Sequence, residues 1–340
     1  MRKFTIAFIV ALVGLAVCLP LFASGGGEKA AGAAMHKKPY NIAVIIKATD
    51  SDFWQYVIIG GVNYGLDNPD KAKVTWYGPK SEADIDKQVA IVEDIISKKP
   101  DAIVIASTSS DATVPALEKA VAQGIAVVTI DNRVHSDKIP AFLATNNKVG
   151  GALCADQMVA NLKAKGVALK GTVGLVSAMA GIQVLTDRDQ GFRDRMKEIA
   201  PNIAVLETRF TDNDIAKSLA AAEDIGTSQG DNLIGIFADN NHTGDGIARM
   251  ITERNLGDQV VAVAYDSDPE EVSALKSGAL KALVLQDPFG MGYKGCTTAV
   301  TILEGGTVPK YVDTGCTAVT QVNMNDKNIQ DLLDPTRLKR

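Results

Sequence analysis

Aromatic residues are scarce in this 340-residue chain: Phe, Tyr and Trp make up 5% of it, with two tryptophans. The core must therefore be aliphatic, and an aromatic pair such as Phe53-Trp54 stands out. The three histidines, His36, His135 and His242, are scattered and show no metal-ligand spacing. No C-x-x-C occurs, which removes support for zinc and thiol redox chemistry. No P-loop is present. A basic excess is missing as well: the formal charge is −5, so nucleic acid is not an expected partner. Gly290-x-Gly292-x-x-Gly295 matches the dinucleotide fingerprint, yet it sits inside a predicted helix with too little chain behind it to complete such a domain. Small residues at a helix–sheet contact are the simpler reading, and no cofactor is expected. The run Asp266-Ser267-Asp268-Pro269-Glu270-Glu271 lacks the alternating ligand order of a calcium loop. It reads as a helix start whose acids complement the helix dipole, and no metal site is expected.

What is present begins with an export signal. Arg2 and Lys3 lead into the uncharged apolar run Phe4–Ala23, and Phe22-Ala23-Ser24 offers a small-residue exit. Cleavage after residue 24 and a periplasmic location are expected. Leu15-Ala16-Val17-Cys18 resembles a bacterial lipobox, except that Val17 is large, so a lipid anchor through Cys18 is the alternative. Residues 25–37 form a Gly/Ala-rich tether of the flexible kind. Export leaves Cys154, Cys296 and Cys316. An odd count in an oxidising compartment points to one bridge and one free thiol, and Cys296 with Cys316, on adjacent elements, form the candidate pair.

From Asn41 the pattern alternates strand and helix. Strands are expected over Asn41–Lys47, Lys73–Tyr77, Ala102–Ala106 and Ala126–Ile130, with helices over Asp52–Leu66 and Ala112–Gln123 and one carrying Ile85, Val89, Val92, Ile95 and Ile96 that Lys99-Pro100 ends. A second cycle follows a short strand at Ala141–Ala144, its strands including Ala204–Arg209 and Leu233–Ala238 and its helices including Pro269–Ser277, and a polar tail, Asn323–Arg340, closes the chain. Strands alternating with helices predict an α/β fold with doubly wound parallel sheets, and the length favours two domains.

Polar residues recur where strands end. Lys47, Ser51 and Phe53-Trp54 follow the first strand; Asp131, Asn132 and Arg133 follow Ala126–Ile130. Asp239, Asn240 and Asn241 follow another, and Tyr265-Asp266 and Gln286-Asp287 close two more. Ligands in open α/β sheets bind past the carboxyl ends of strands. Each group alone reads as a helix cap or turn; five together read as one cleft. Carboxylates, amides and an Arg fork suit a ligand with many hydroxyls, and an aromatic pair suits the apolar face of a sugar ring. A catalytic pair of carboxylates, Asp131 and Asp266, is the competing reading.

These residues resemble the periplasmic sugar-binding proteins of the ribose- and galactose-binding type, relatives of the ligand-binding domains of LacI-type repressors. The resemblance spans about Lys38–Asn323. It rests on Phe53-Trp54 before Gly61, Gln88 before Lys99-Pro100-Asp101-Ala102-Ile103, Thr129-Ile130-Asp131, and Asn146-Asn147 before Gly150. It continues through Arg188-Asp189-Gln190-Gly191-Phe192, Phe237-Ala238-Asp239-Asn240, Tyr265-Asp266, and Gln286 before Met291-Gly292-Tyr293. The resemblance implies two Rossmann-like lobes joined by a three-stranded hinge: residues 38–142 with 289–310, and residues 143–286 with 313–323, leaving a tail at 324–340. It implies crossovers near Ala141–Asn147, Gln286–Phe289 and Tyr311–Gly315. By the same resemblance Phe53 and Trp54 stack on a sugar, while Asp131, Asn240, Asp266, Gln286 and Arg188 bond its hydroxyls. Lys47, Ser51 and Tyr265 join this candidate set.

The implied role is a monomeric solute-binding protein that delivers a monosaccharide, polyol or sugar acid to an ABC importer permease, with a chemoreceptor as a further candidate partner. The chain departs from ribose binders at Ser51-Asp52, where Asn-Pro is usual, and at Asn132, where Arg is usual; Arg133 follows one residue later. Either Asn132 or Arg133 is therefore expected to face the ligand. A LacI-type regulator would need a helix-turn-helix where this chain carries its export signal.

Overall fold

A computed structural model describes residues 37–340; the export signal, Cys18 and nearly all of the tether lie outside the described residues. The first half alternates β1 (Tyr40–Ile45), α1 (Asp52–Asp67), β2 (Ala72–Tyr77), α2 (Ile85–Ser97), β3 (Ala102–Ile105), α3 (Val114–Ala122) and β4 (Ala126–Ile130), then β5 (Ala141–Ala144). The second runs α4 (Asn147–Ala164), β6 (Gly171–Ser177), α5 (Gln183–Ile199), β7 (Ile203–Val205), β8 (Arg209–Phe210), α6 (Ile215–Gln229), β9 (Leu233–Ala238), α7 (Asn241–Glu253), β10 (Val261–Tyr265), α8 (Pro269–Ser277) and β11 (Ala282–Leu285). There follow α9 (Pro288–Leu303), β12 (Tyr311–Asp313), β13 (Thr317–Val319) and α10 (Lys327–Leu333).

These strands form two sheets, ordered β12-β5-β4-β3-β1-β2 and β13-β11-β10-β9-β6-β7, with β8 on the second beside β6. All pairings are parallel except β11 with β13. Central strands such as Ala-Ile-Val-Ile in β3 and Ala-Val-Val-Thr-Ile in β4 are buried on both faces. That explains their unbroken apolar runs, since helices cover each side of such a sheet. The chain passes between the sheets three times: after β5, after β11 and after β12. At two of these passages Thr145 Oγ1 donates to Gly315 O (3.2 Å) and the Asn146 N–H donates to Asp313 Oδ1 (3.2 Å).

Close helix–helix crossings built on glycine occur in both halves. A Cβ on Gly292 of α9 would lie 2.1 Å from Val57 O of α1, and one on Gly151 of α4 would lie 1.9 Å from Arg188 O of α5. Gly295 faces Val104 Cγ1 at 2.7 Å from such a Cβ. Of the glycines that mimic a dinucleotide fingerprint, Gly292 and Gly295 are thus packing positions on a helix that covers β3 and β4, and Gly290 sits against that helix's own cap, Asp287.

Two expectations are corrected. Cys296 and Cys316 do not form a disulfide; both are free, as is Cys154. Cys296 packs in the core between α9 and the first sheet, whereas Cys316 lies against the core of the second. The strand expected over Ala204–Arg209 breaks into β7 and β8, because Arg193 takes the carbonyls of Val205 and Leu206 and the hydroxyl of Thr208. The polar tail is ordered. Ile329 and Leu333 of α10 enter the second core, and Ser267 Oγ donates to Leu333 O (3.3 Å). A 3-10 turn, Pro335–Leu338, then reaches the first half: Asn63 Nδ2 of α1 donates to Leu338 O (2.5 Å), and Arg340 meets Asp67 at 3.5 Å.

Candidate functional site

Asp131 follows β4 and Asp266 follows β10, and the two occupy matching positions. Each has a left-handed backbone, with φ of 61° and 74°, and each N–H donates at 2.8 Å to the neighbouring strand, Asp131 to Leu143 O and Asp266 to Val284 O. Non-glycine residues adopt this region at a cost and chiefly where the surroundings impose it, often at functional sites. The turn throws both carboxyl groups into one pocket between the halves. Its lining residues are Lys47, Ser51, Phe53, Trp54, Glu82 and Asp131 from the first half, and Ile182, Val184, Leu185, Arg188, Asn240, Asn241, Asp266 and Gln286 from the second. They surround about 390 Å³ of space not filled by atoms, part of it open to solvent.

On the first side, Lys47 Nζ pairs with Asp131 Oδ2 at 2.6 Å, both side chains being almost wholly buried. The same ammonium lies 5.2 Å from the Trp54 ring centroid, a cation–π distance. Phe53 meets Trp54 edge to face at 4.8 Å, and the indole N–H donates to Glu82 Oε1 at 2.7 Å. On the second side, Arg188 is 2% exposed and lies 3.6 Å above the Tyr265 ring. Its Nη2 donates to Asn147 Oδ1 (2.7 Å), its Nη1 donates to Asp239 O, and Asp266 Oδ2 stands 3.9 Å away. Burial pushes the Asp266 carboxyl up to about 6, against the pull of Arg188 and of the Gln286 amide, which donates to it at 2.7 Å. Gln286 Oε1 is buried with no hydrogen-bond partner. Asn240 caps α7 by accepting from the Thr243 N–H (3.0 Å) and donates to Asn213 Oδ1 (2.7 Å). Asn241 Nδ2 donates to Ser51 Oγ at 3.4 Å, joining the two halves across the pocket.

The structure gathers nine of the residues singled out from the sequence into this lining and places three elsewhere. Tyr265 is the platform under Arg188. Asn132 is turned into the first half, its amide donating to Thr108 O at 3.4 Å. Arg133 is exposed and stacks on Phe142 at 5.0 Å, lining an adjoining cavity with Asp131 and Tyr311. Neither Asn132 nor Arg133 lines the pocket. Sequence reasoning passed over Glu82 and the apolar wall of Ile182, Val184 and Leu185, and it named Asn241 at a strand end without giving it a role. Asn241 was legible as part of a strand-end triplet; Glu82, in a loop between β2 and α2, carried no pattern. Carboxylates, amides, two cations and an aromatic edge together can hydrogen-bond several hydroxyls and cover an apolar ring face.

A family model described as a periplasmic binding protein domain matches residues 42–307. The ribose import binding protein of Haemophilus influenzae is 30% identical over 230 residues, 67% of this chain and 75% of that one. The D-ribose/D-allose-binding protein of Pseudomonas aeruginosa is 27% identical over 316 residues, 90% of this chain and 94% of its own. Among solved structures, a carbohydrate transporter solute-binding protein from Agrobacterium radiobacter in complex with D-arabinose superposes with a TM-score of 0.82 at 34% identity, covering 87% of this chain and 99% of that one. A solute-binding protein from Agrobacterium vitis with bound D-fucose gives a TM-score of 0.80 at 32% identity, covering 86% and 99%.

Proposed function

The chain belongs to the periplasmic binding protein domain family, and from that premise we propose that it captures one monosaccharide between its halves and presents it to an ABC importer. Its relatives are sugar-binding transport proteins rather than enzymes, and the family places it outside the cytoplasm. Nothing in these comparisons supports a carbohydrate-active enzyme or a sensory input. We further infer that the chain works as a monomer and is released by cleavage after residue 24.

One observation carries the reading. Asp131 and Asp266, at matching strand ends of the two halves, enter the same pocket as the Trp54 edge, Arg188 and Gln286. A sugar bonded to both carboxyl groups touches both halves at once. Such a ligand stabilises the arrangement in which the halves meet, because it has more contacts there than in an open one. The unpartnered Gln286 Oε1 offers an acceptor to a ligand hydroxyl.

A thermal-shift screen tests this with D-ribose, D-arabinose, D-galactose, D-fucose, D-allose and D-fructose, followed by calorimetric titration. At least one sugar is expected to raise the melting temperature in a concentration-dependent way, as a ligand selective for the native state does. No response to any of them, together with no sugar recovered by mass spectrometry from denatured protein, defeats the proposal.

A further inference from the structure

The charges of the pocket are not balanced, and the imbalance is local. Lys47 is committed to Asp131 at 2.6 Å. Arg188 is committed to Asn147, Asp239 and Asp266. Glu82 also lines the pocket, and among the described residues no lysine or arginine pairs with it. One carboxylate oxygen accepts the Trp54 indole N–H at 2.7 Å; the other accepts from no protein group among the described residues.

The position of Glu82 is set by the backbone. Its loop is tied to the segment entering α1, where the Thr49 N–H donates to Pro79 O (3.0 Å) and Lys80 O (3.2 Å). Gly78 opens that loop so close to Ile46 that a Cβ there would come within 2.5 Å of Ile46 Cγ1. These contacts fix where the loop that carries Glu82 sits.

We propose that Glu82 is a positioning and specificity-determining residue: one oxygen holds the Trp54 ring by its N–H, and the other confronts the ligand with an uncompensated negative charge, so that the site takes uncharged monosaccharides and rejects sugar acids. This rests on the sugar-binding reading above. A ligand carboxylate would meet Glu82 and find both pocket cations already paired. Like charges brought together in the pocket repel, and discrimination of this kind comes from a repulsive element built into the site.

The test pairs neutral sugars with their acids: D-ribose with D-ribonate, D-arabinose with D-arabinonate, D-galactose with D-galacturonate. Dissociation constants are measured for the parent, Glu82→Gln and Glu82→Ala, all carrying Trp76→Phe so that Trp54 is the only tryptophan emitter. For each neutral sugar that binds, the acid should bind at least ~10-fold more weakly to the parent, and Glu82→Gln should narrow that gap at least ~10-fold. The Gln oxygen still accepts the indole N–H, so ligand-free Trp54 emission should stay as in the parent, while Glu82→Ala should shift it. Acids binding the parent as well as neutral sugars, or a gap unchanged in Glu82→Gln, overturn the charge role. Emission unchanged in Glu82→Ala overturns the positioning role. If no neutral sugar binds the parent at all, the sugar-binding reading itself falls, and this inference with it.

Discussion

Trp54 and Asp131 are at once the most suggestive site residues and poor ones to delete. Trp54 is 3% exposed and belongs to the core of the first half, so truncation to Ala would cost about 3–5 kcal/mol in packing as well as any ligand contact. Asp131→Ala would strand Lys47, and an unpaired buried ion costs about 3–5 kcal/mol; urea unfolding should show that loss without any sugar present. Gln286→Ala is the cleaner probe. Among the described residues its side chain makes one hydrogen bond, the donation to Asp266, so the loss of stability should stay within about 1–3 kcal/mol while sugar affinity falls by about one to two factors of ten, read by titration calorimetry. A second residue carries a pH signature. Glu271 is fully buried against Gly244 with both oxygens unbonded, and Asp268, Asp245 and Asp266 near it add to the burial that holds its carboxyl far above the usual range. The unfolded chain releases this proton near pH ~4.3. The native state keeps it to higher pH, so stability falls as pH rises between those points. Glu271→Gln removes that slope, and its melting temperature relative to the parent should be higher at pH 8 than at pH 5; equal differences at both would mean the buried carboxyl does not titrate this way. At this scale the sequence was uneven. Asp131 was readable as a strand end, but the choice between Asn132 and Arg133 was not, because it depends on the left-handed turn at Asp131 that aims both away.

Among elements, parallel strands and their helices were the most legible, since strands buried on two faces must be apolar throughout and Gly or Pro punctuates the turns. Ala126–Ile130, Ala141–Ala144, Leu233–Ala238 and Pro269–Ser277 match to the residue. The breaks came where a side chain competes for backbone, as Arg193 does beyond β7, or where a helix is too short to show a period, as in α10. The glycine crossings are where an element can be tested. Gly151→Ala would drive a methyl group against Arg188 O, on the residue that anchors the second side of the pocket. Overpacking costs about 1–3 kcal/mol, and here the displaced helix also carries Arg188, so sugar affinity and denaturant midpoint should both drop. Gly124→Ala is the contrast: open space surrounds it, but its φ of 84° is strained for alanine. It should lower stability alone and leave affinity intact.

At the scale of the molecule, the two halves share more than their three crossovers. The last residues leave the core of the second half and dock on α1 of the first, through Asn63, Leu338, Asp67 and Arg340. Ending the chain at Asp334 should leave each core intact, with Ile329 and Leu333 still in place, and should weaken sugar binding mainly through faster dissociation, measured by stopped-flow. An unchanged dissociation rate would mean that the contact does not resist opening. The feature has a mechanical meaning that a hinge alone lacks. Three covalent strands let the halves swing, and swinging is graded. A docked terminus must instead detach, and detachment is all or none. If truncation at Asp334 speeds dissociation, this contact is a latch with a release step, and the permease that accepts the sugar would have to undo it as well as bend a hinge.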